Sequence, residues 1–134
     1  MKCCVVTPEA TVVDKDARFV VAPLYDGEYG VAENHAPVVG RLGAGELRMT
    51  LLDGTIERWY VEGGFLEVLD NNVSLLTNRA VRLETLDVAT SREALARAQA
   101  ITSNSDESAE VKEAAVLLAR AQLRAAQKGA LVKK

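Results

Sequence analysis

The chain has 134 residues, 49% of them hydrophobic and 26% charged, with a formal net charge of −3. That size and balance fit one core-forming domain plus an appendage and exclude wholesale disorder. No window approaches the ~18 apolar residues of a membrane span, and the first residues lack the apolar core of a secretory signal.

Aromatic residues are only 4% of the chain, so the core is expected to be aliphatic. Cys3 and Cys4 are adjacent and fall on opposite faces of an extended segment, which argues against an intrachain bridge and for a reducing compartment. They lack the further Cys or His partners of a zinc site, and no metal is expected.

Up to about Glu84 the pattern has period 2 and is broken by turns, as short antiparallel strands require. Residues 3–7, 11–14, 17–23 and 38–42 read as strands. Between them Gly27 and Gly30 suggest backbone with φ > 0, and Pro37 pushes Ala36 toward extended geometry. In residues 46–51, Leu47, Met49 and Leu51 share one face and Glu46, Arg48 and Thr50 the other. Asp53-Gly54 supplies a two-residue hairpin signal, and Gly63-Gly64 and Asp70-Asn71-Asn72 bracket another strand. A single sheet of about nine or ten strands would leave one apolar face wet, so two packed sheets are expected.

After Leu86-Asp87 alanine becomes the commonest residue, which favours helix. Thr90-Ser91-Arg92-Glu93 reads as a capping box, with Ala94, Leu95, Ala98 and Ile101 as the apolar stripe behind it. Residues 102–108 read as a loop. A second helix over residues 109–128 places Val111, Ala114, Ala115, Leu118, Gln122 and Ala125 on one side, and Gly129 ends it. At ~0.8 kcal/mol per buried CH₂, such an alanine-rich stripe holds a helical hairpin weakly, which suits a module that detaches and extends. A permanently docked hairpin fits the same residues.

Charge is uneven: residues 1–89 carry 14 acidic and 8 basic side chains, residues 90–134 carry 5 and 8. A mildly basic helical tail without interleaved aromatics makes nucleic acid the weakest candidate partner. One histidine, no glycine-rich phosphate loop and no ligand cluster leave no catalytic constellation, so no enzyme activity is expected of the isolated chain.

The layout resembles the epsilon subunit of the F-type ATP synthase, bacterial or plastid type. The resemblance is carried by Thr7-Pro8-Glu9, Pro23 with Asp26-Gly27-Glu28-Tyr29-Gly30, His35-Ala36-Pro37, Leu42-x-x-Gly45, Val61-x-Gly63-Gly64-Phe65-x-Glu67-Val68, Asn72-Val73 and Leu86-Asp87, in the family's order. It implies a ten-stranded β-sandwich over residues 1–86 that binds the gamma subunit and the c-subunit ring. It also implies a regulatory antiparallel helical hairpin over residues 87–134. The implied role is that of a non-catalytic rotor subunit of the central stalk, which couples c-ring rotation to the catalytic head and restrains ATP hydrolysis. The implied place is the cytoplasmic face of the bacterial inner membrane, peripheral and associated only through the complex.

By the same resemblance Glu28 and His35 lie in loops facing the c ring and gamma. Taken locally, His35 also reads as a corner histidine bonded to its own turn, and Glu28 as a solvated carboxylate, but a Gly-bracketed turn beside a Pro corner is a rigid way to present polar groups. The hairpin is implied to meet the alpha/beta head, and Arg120, Arg124 and Lys128 form one cationic stripe that suits an acidic loop on beta. No cofactor is implied, but some relatives bind ATP as a regulatory ligand through an Ile/Leu-Asp-x-x-Arg-Ala motif. Here Leu86-Asp87-Val88-Ala89 matches, while Thr90 and Ser91 stand where Arg and Ala belong, removing a charge-assisted phosphate contact. The alternative reading, a nucleotide-sensing module whose hairpin closes on ATP, would use Asp87, Arg120 and Arg124.

Overall fold

The computed structural model describes residues 1–132 and divides the chain into two compact units, one spanning Met1–Arg82 and the other starting at Leu83. The first holds nine strands: β1 (Lys2–Val6), β2 (Thr11–Leu24), β3 (Gly27–Ala32), β4 (Val38–Arg41), β5 (Ala44–Leu51), β6 (Ile56–Glu62), β7 (Phe65–Leu69), β8 (Asn72–Leu76) and β9 (Ala80–Arg82). One layer runs β4-β7-β8-β1-β2 and the other β3-β2-β5-β6-β9; every pairing is antiparallel except β1 with β8.

Nine strands form where ten are expected: residues 11–14 and 17–23 make the single 14-residue strand β2, while residues 27–32, read as part of a turn connection, form β3. Its first half pairs with β1 and its second half with β5 and β3, with a register shift between Ala17 and Phe19 where it passes from one layer to the other. A bulge of this kind bends the strand and re-aims it without ending it, which no turn residue announces. At another corner Tyr25 N–H donates to Arg41 O at 3.0 Å and Gly43 N–H to Pro23 O at 2.8 Å, so the layers are also joined beyond the end of β2.

The core between the layers is aliphatic, with Val5, Val20, Leu47, Met49, Leu66 and Leu75 fully buried. Cys3 faces this core and Cys4 the outer side, and both thiols are free. Burial, with a smaller effect from Cys4, pushes the Cys3 thiol up to about 12, so it is held as a neutral packing residue.

Two turn expectations change. The β5–β6 hairpin is closed by three residues: Gly54 N–H donates to Leu51 O at 3.0 Å, Leu51 N–H donates to Thr55 O at 2.8 Å, and Gly54 has φ +88. Asp53 does not sit in a two-residue turn; its Oδ1 accepts Thr55 N–H at 2.9 Å. The two-residue turn with both φ positive is Asp70-Asn71, at +50 and +63, and it matches the twist of the strands it joins. Gly30, unlike Gly27 at φ +138, is not in the left-handed region; it lies in β3 under the Phe19 ring, where a Cβ would sit 2.9 Å from Cζ.

The second unit opens with a 3₁₀ turn (Leu83–Thr85), followed by α1 (Val88–Gln99) and α2 (Asp106–Val132). Thr90 does not cap α1. Asp87 does, because its Oδ2 accepts both Thr90 N–H at 2.9 Å and Thr90 Oγ1–H at 2.7 Å. α2 starts three residues earlier than expected, where Ser105 and Ser108 cap it reciprocally: Ser108 N–H donates to Ser105 Oγ at 3.1 Å and Ser105 N–H to Ser108 Oγ at 3.0 Å.

α2 also continues through Gly129, which therefore does not end it. The stripe moves accordingly. Val111 and Leu118 are exposed, and Ala121, Ala125, Ala126 and Gly129 are the buried residues of α2.

Candidate functional site

The corner from Asp26 to Leu42 is built by β3, its flanking turns and β4. Glu28 points to the outer face of β3, where its Oε2 lies 3.7 Å from Arg48 Nη1. Arg48 is itself held at 2.9 Å by Glu46, which also binds Arg58 at 3.3 Å. Glu46 is buried although its alternation places it on the polar face, because two guanidiniums satisfy its oxygens there. Glu28 itself stays largely exposed, so its ion pair stabilises little and its carboxylate is accessible to another partner.

Tyr29, the next residue, points the other way and meets His35. The rings pack edge to face at 5.5 Å, with Tyr29 Oη 2.9 Å from His35 Nε2. His35 Nδ1 lies 2.6 Å from Ala36 O, a group that can only accept, so Nδ1 carries the proton. In the neutral ring Nε2 then accepts from the Tyr29 hydroxyl. The connector is braced at Asn34, in the left-handed region at φ +63, whose N–H donates to Asn71 Oδ1 at 2.8 Å. Glu28 and His35 thus lie on rigid but different sides of β3 and share no hydrogen bond.

A second surface was not apparent from the motifs. On the outer face of the β4-β7-β8 layer, Phe65 is 57% exposed, Leu76 56% and Val39 70%, with Leu69 alongside. Register places Phe65 directly between Arg41 and Leu76. The signal in the sequence was Phe65-Leu66-x-Val68-Leu69, a strand apolar on both faces. An open sheet face this apolar fits a docking surface.

The helical unit offers a third surface. Arg120, Arg124 and Lys128 are exposed along α2 and make no ion pair among the described residues. Gln122 Nε2 donates to Ser91 Oγ at 3.3 Å, which fixes the α2 face turned toward α1. At 100° per residue, positions 120 and 124 point away from that face. Asp87 meanwhile caps α1 through its contacts with Thr90. Among the described residues no group of three or more His, Cys, Asp or Glu is placed to hold a metal, and no helix is long and apolar enough to cross a membrane.

These features define a class: a two-layer β-sandwich module with an appended helical hairpin, presenting docking surfaces. The family described as "ATP synthase, Delta/Epsilon chain, beta-sandwich domain" matches residues 1–83. The ATP synthase epsilon chain of Rhodopirellula baltica is 46% identical over 127 residues, covering 95% of this chain and 98% of that one. That of Symbiobacterium thermophilum is 39% identical, covering 98% and 94%. A chain in the cryo-EM structure of the Euglena gracilis mitochondrial ATP synthase (OSCP/F1/c-ring) has the same fold. It superposes with a TM-score of 0.78 at 24% identity, covering 96% of this chain and 79% of that one. The chain belongs to the ATP synthase epsilon chain family, and as such it is an accessory subunit with no active site of its own.

Proposed function

We propose that the chain is a rotor subunit of the central stalk of a proton-translocating F-type ATP synthase. The sandwich docks on the gamma subunit and the c ring and carries rotation between them. The helical hairpin meets the alpha/beta head and restrains ATP hydrolysis. The complex holds it at the cytoplasmic face of a bacterial inner membrane. The observation that carries this reading is the exposed apolar face around Phe65, Leu76 and Val39 in a chain 46% identical to an ATP synthase epsilon chain. Such a face calls for a permanent partner, and gamma is the partner the family offers. Glu28, on the outer face of the other layer near Arg48, and His35, bonded to Tyr29, are the proposed polar contacts. The exposed Arg120, Arg124 and Lys128 stripe supplies the charge for an acidic surface on the head.

Co-purification with gamma tests the docking half. A complex stable at micromolar concentration is expected, and weakening by Phe65→Glu follows if the apolar face is the contact. A chain that binds no F-type gamma subunit rules the reading out. Removing the residues after Leu86 tests the regulatory half: the sandwich stays folded and inhibition of hydrolysis is lost.

A further inference from the structure

Gly129 lies in the last turn of α2, and in a helix interior glycine lowers the helix equilibrium roughly fivefold relative to alanine. It is buried, and its backbone is ordinary helix, so no left-handed angle calls for glycine. What calls for it is space. A Cβ at position 129 would sit 2.6 Å from Leu83 O and 3.1 Å from Leu83 C.

Leu83 opens the 3₁₀ turn that leads into α1, and its carbonyl already accepts Leu86 N–H at 3.2 Å. Its side chain is buried as well, so the carbonyl cannot swing aside without breaking the turn. α2 and the turn therefore touch backbone to backbone. The Ser91–Gln122 hydrogen bond sets how the antiparallel helices align, so the end of α2 runs past the start of α1 and over that turn.

Burial along α2 is one-sided in the same sense. Ala121, Ala125, Ala126 and Gly129 are buried, while Val111, Leu117 and Leu118 toward its start are exposed. Along α2 the buried positions thus gather in its second half, while on α1 Ser91 and Ala98 are buried.

We propose that the contact of Gly129 with the Leu83 carbonyl is the latch that keeps the helical hairpin closed. Opening the hairpin requires this contact to part, and any side chain at position 129 forces it apart. If the hairpin restrains hydrolysis, as proposed above, and does so by opening, the latch sets how often it opens.

Amide hydrogen exchange on the full chain tests the latch. Gly129→Ala is expected to speed exchange about tenfold in the 3₁₀ turn, α1 and the end of α2, with β1 and β8 unchanged. Helix propensity alone predicts the opposite sign, since alanine favours helix. Exchange in α1 and α2 that is unchanged or slower overturns the latch. An equal loss of protection in β1 and β8 also overturns it, because the contact would then hold the whole chain. Gln127→Ala, at an exposed position of the same turn, is expected to leave exchange unchanged or slower; a matching acceleration there overturns the specific role of Gly129. ATP hydrolysis by the reconstituted complex separately tests regulation: a loosened hairpin with unchanged hydrolysis leaves the latch standing and removes the regulatory reading.

Discussion

The sandwich buries Leu47, Met49, Leu66, Leu75 and several valines completely, whereas the residues buried on the two helices are Ser91, Ala98, Ala121, Ala125, Ala126 and Gly129. Per side chain the difference is two or three carbons, and at ~0.8 kcal/mol per buried CH₂ it separates a unit that keeps its shape from one held lightly. The sandwich also spreads its support over nine strands and two corners, while the described residues of the helical unit include the close backbone contact of Gly129 with Leu83 and the Ser91–Gln122 hydrogen bond. The roles proposed above, a body that carries rotation and a hairpin that changes position, would need these opposite designs.

The contrast can be broken most severely at Gly64, whose φ is +100 and whose Cβ would lie 1.8 Å from Leu76 O. Gly64→Ala is expected to destabilise the sandwich by ~4 kcal/mol in urea unfolding, since both backbone angle and space oppose it. Leu75→Ala should cost about 3 kcal/mol by the same measurement, as a fully buried leucine leaves a cavity. A cost below about 1 kcal/mol would mean that the core is looser than its burial implies.

On the helical side Asp87→Ala removes the cap on Thr90, and ~1 kcal/mol of local stability should be lost, visible as faster exchange in the first turn of α1. Protection in the strands should not move. If it does, the cap is not a local feature of the helical unit.

A smaller effect is expected from acid. Burial raises the Glu57 carboxyl, but hydrogen bonds from Lys15 and Trp59 and the charges of Lys15 and Arg82 outweigh it and hold the group below its usual 4.5. A carboxylate depressed in the folded state stabilises the fold above pH 4.5, and that contribution is lost as pH falls through the lower folded value. Glu57→Gln should therefore be less stable than the unsubstituted chain at pH 7, with the gap closing below pH 4.5. A gap that stays constant with pH would show that the ion pair adds nothing.

The smallest change in stability is expected from Glu28→Ala, under ~0.5 kcal/mol, because its pair with Arg48 is exposed. Binding to the c ring and gamma should nonetheless weaken. Equal binding with and without the carboxylate would remove Glu28 from the contact.

Much of this was legible in order along the chain. Alternation in residues 46–51 placed Leu47 and Met49 inward, the change to alanine after Leu86 marked the helices, and adjacent Cys3 and Cys4 were assigned to opposite faces. These are local properties, set by side-chain period and backbone preference, and they survive whatever the segment packs against. What the chain order could not specify depended on neighbours distant in sequence. Residues 11–24 became one strand because β1 pairs with its first half and β5 with its second. Glu46 is buried because Arg48 and Arg58 converge on it, and His35 has both nitrogens engaged because Tyr29 and Ala36 reach them. Gly129 read as a helix stop, since glycine usually is one, and turned out to be a point of contact. Only the approach of Leu83 O to 2.6 Å of its missing Cβ, from 46 positions earlier in the chain, could decide that.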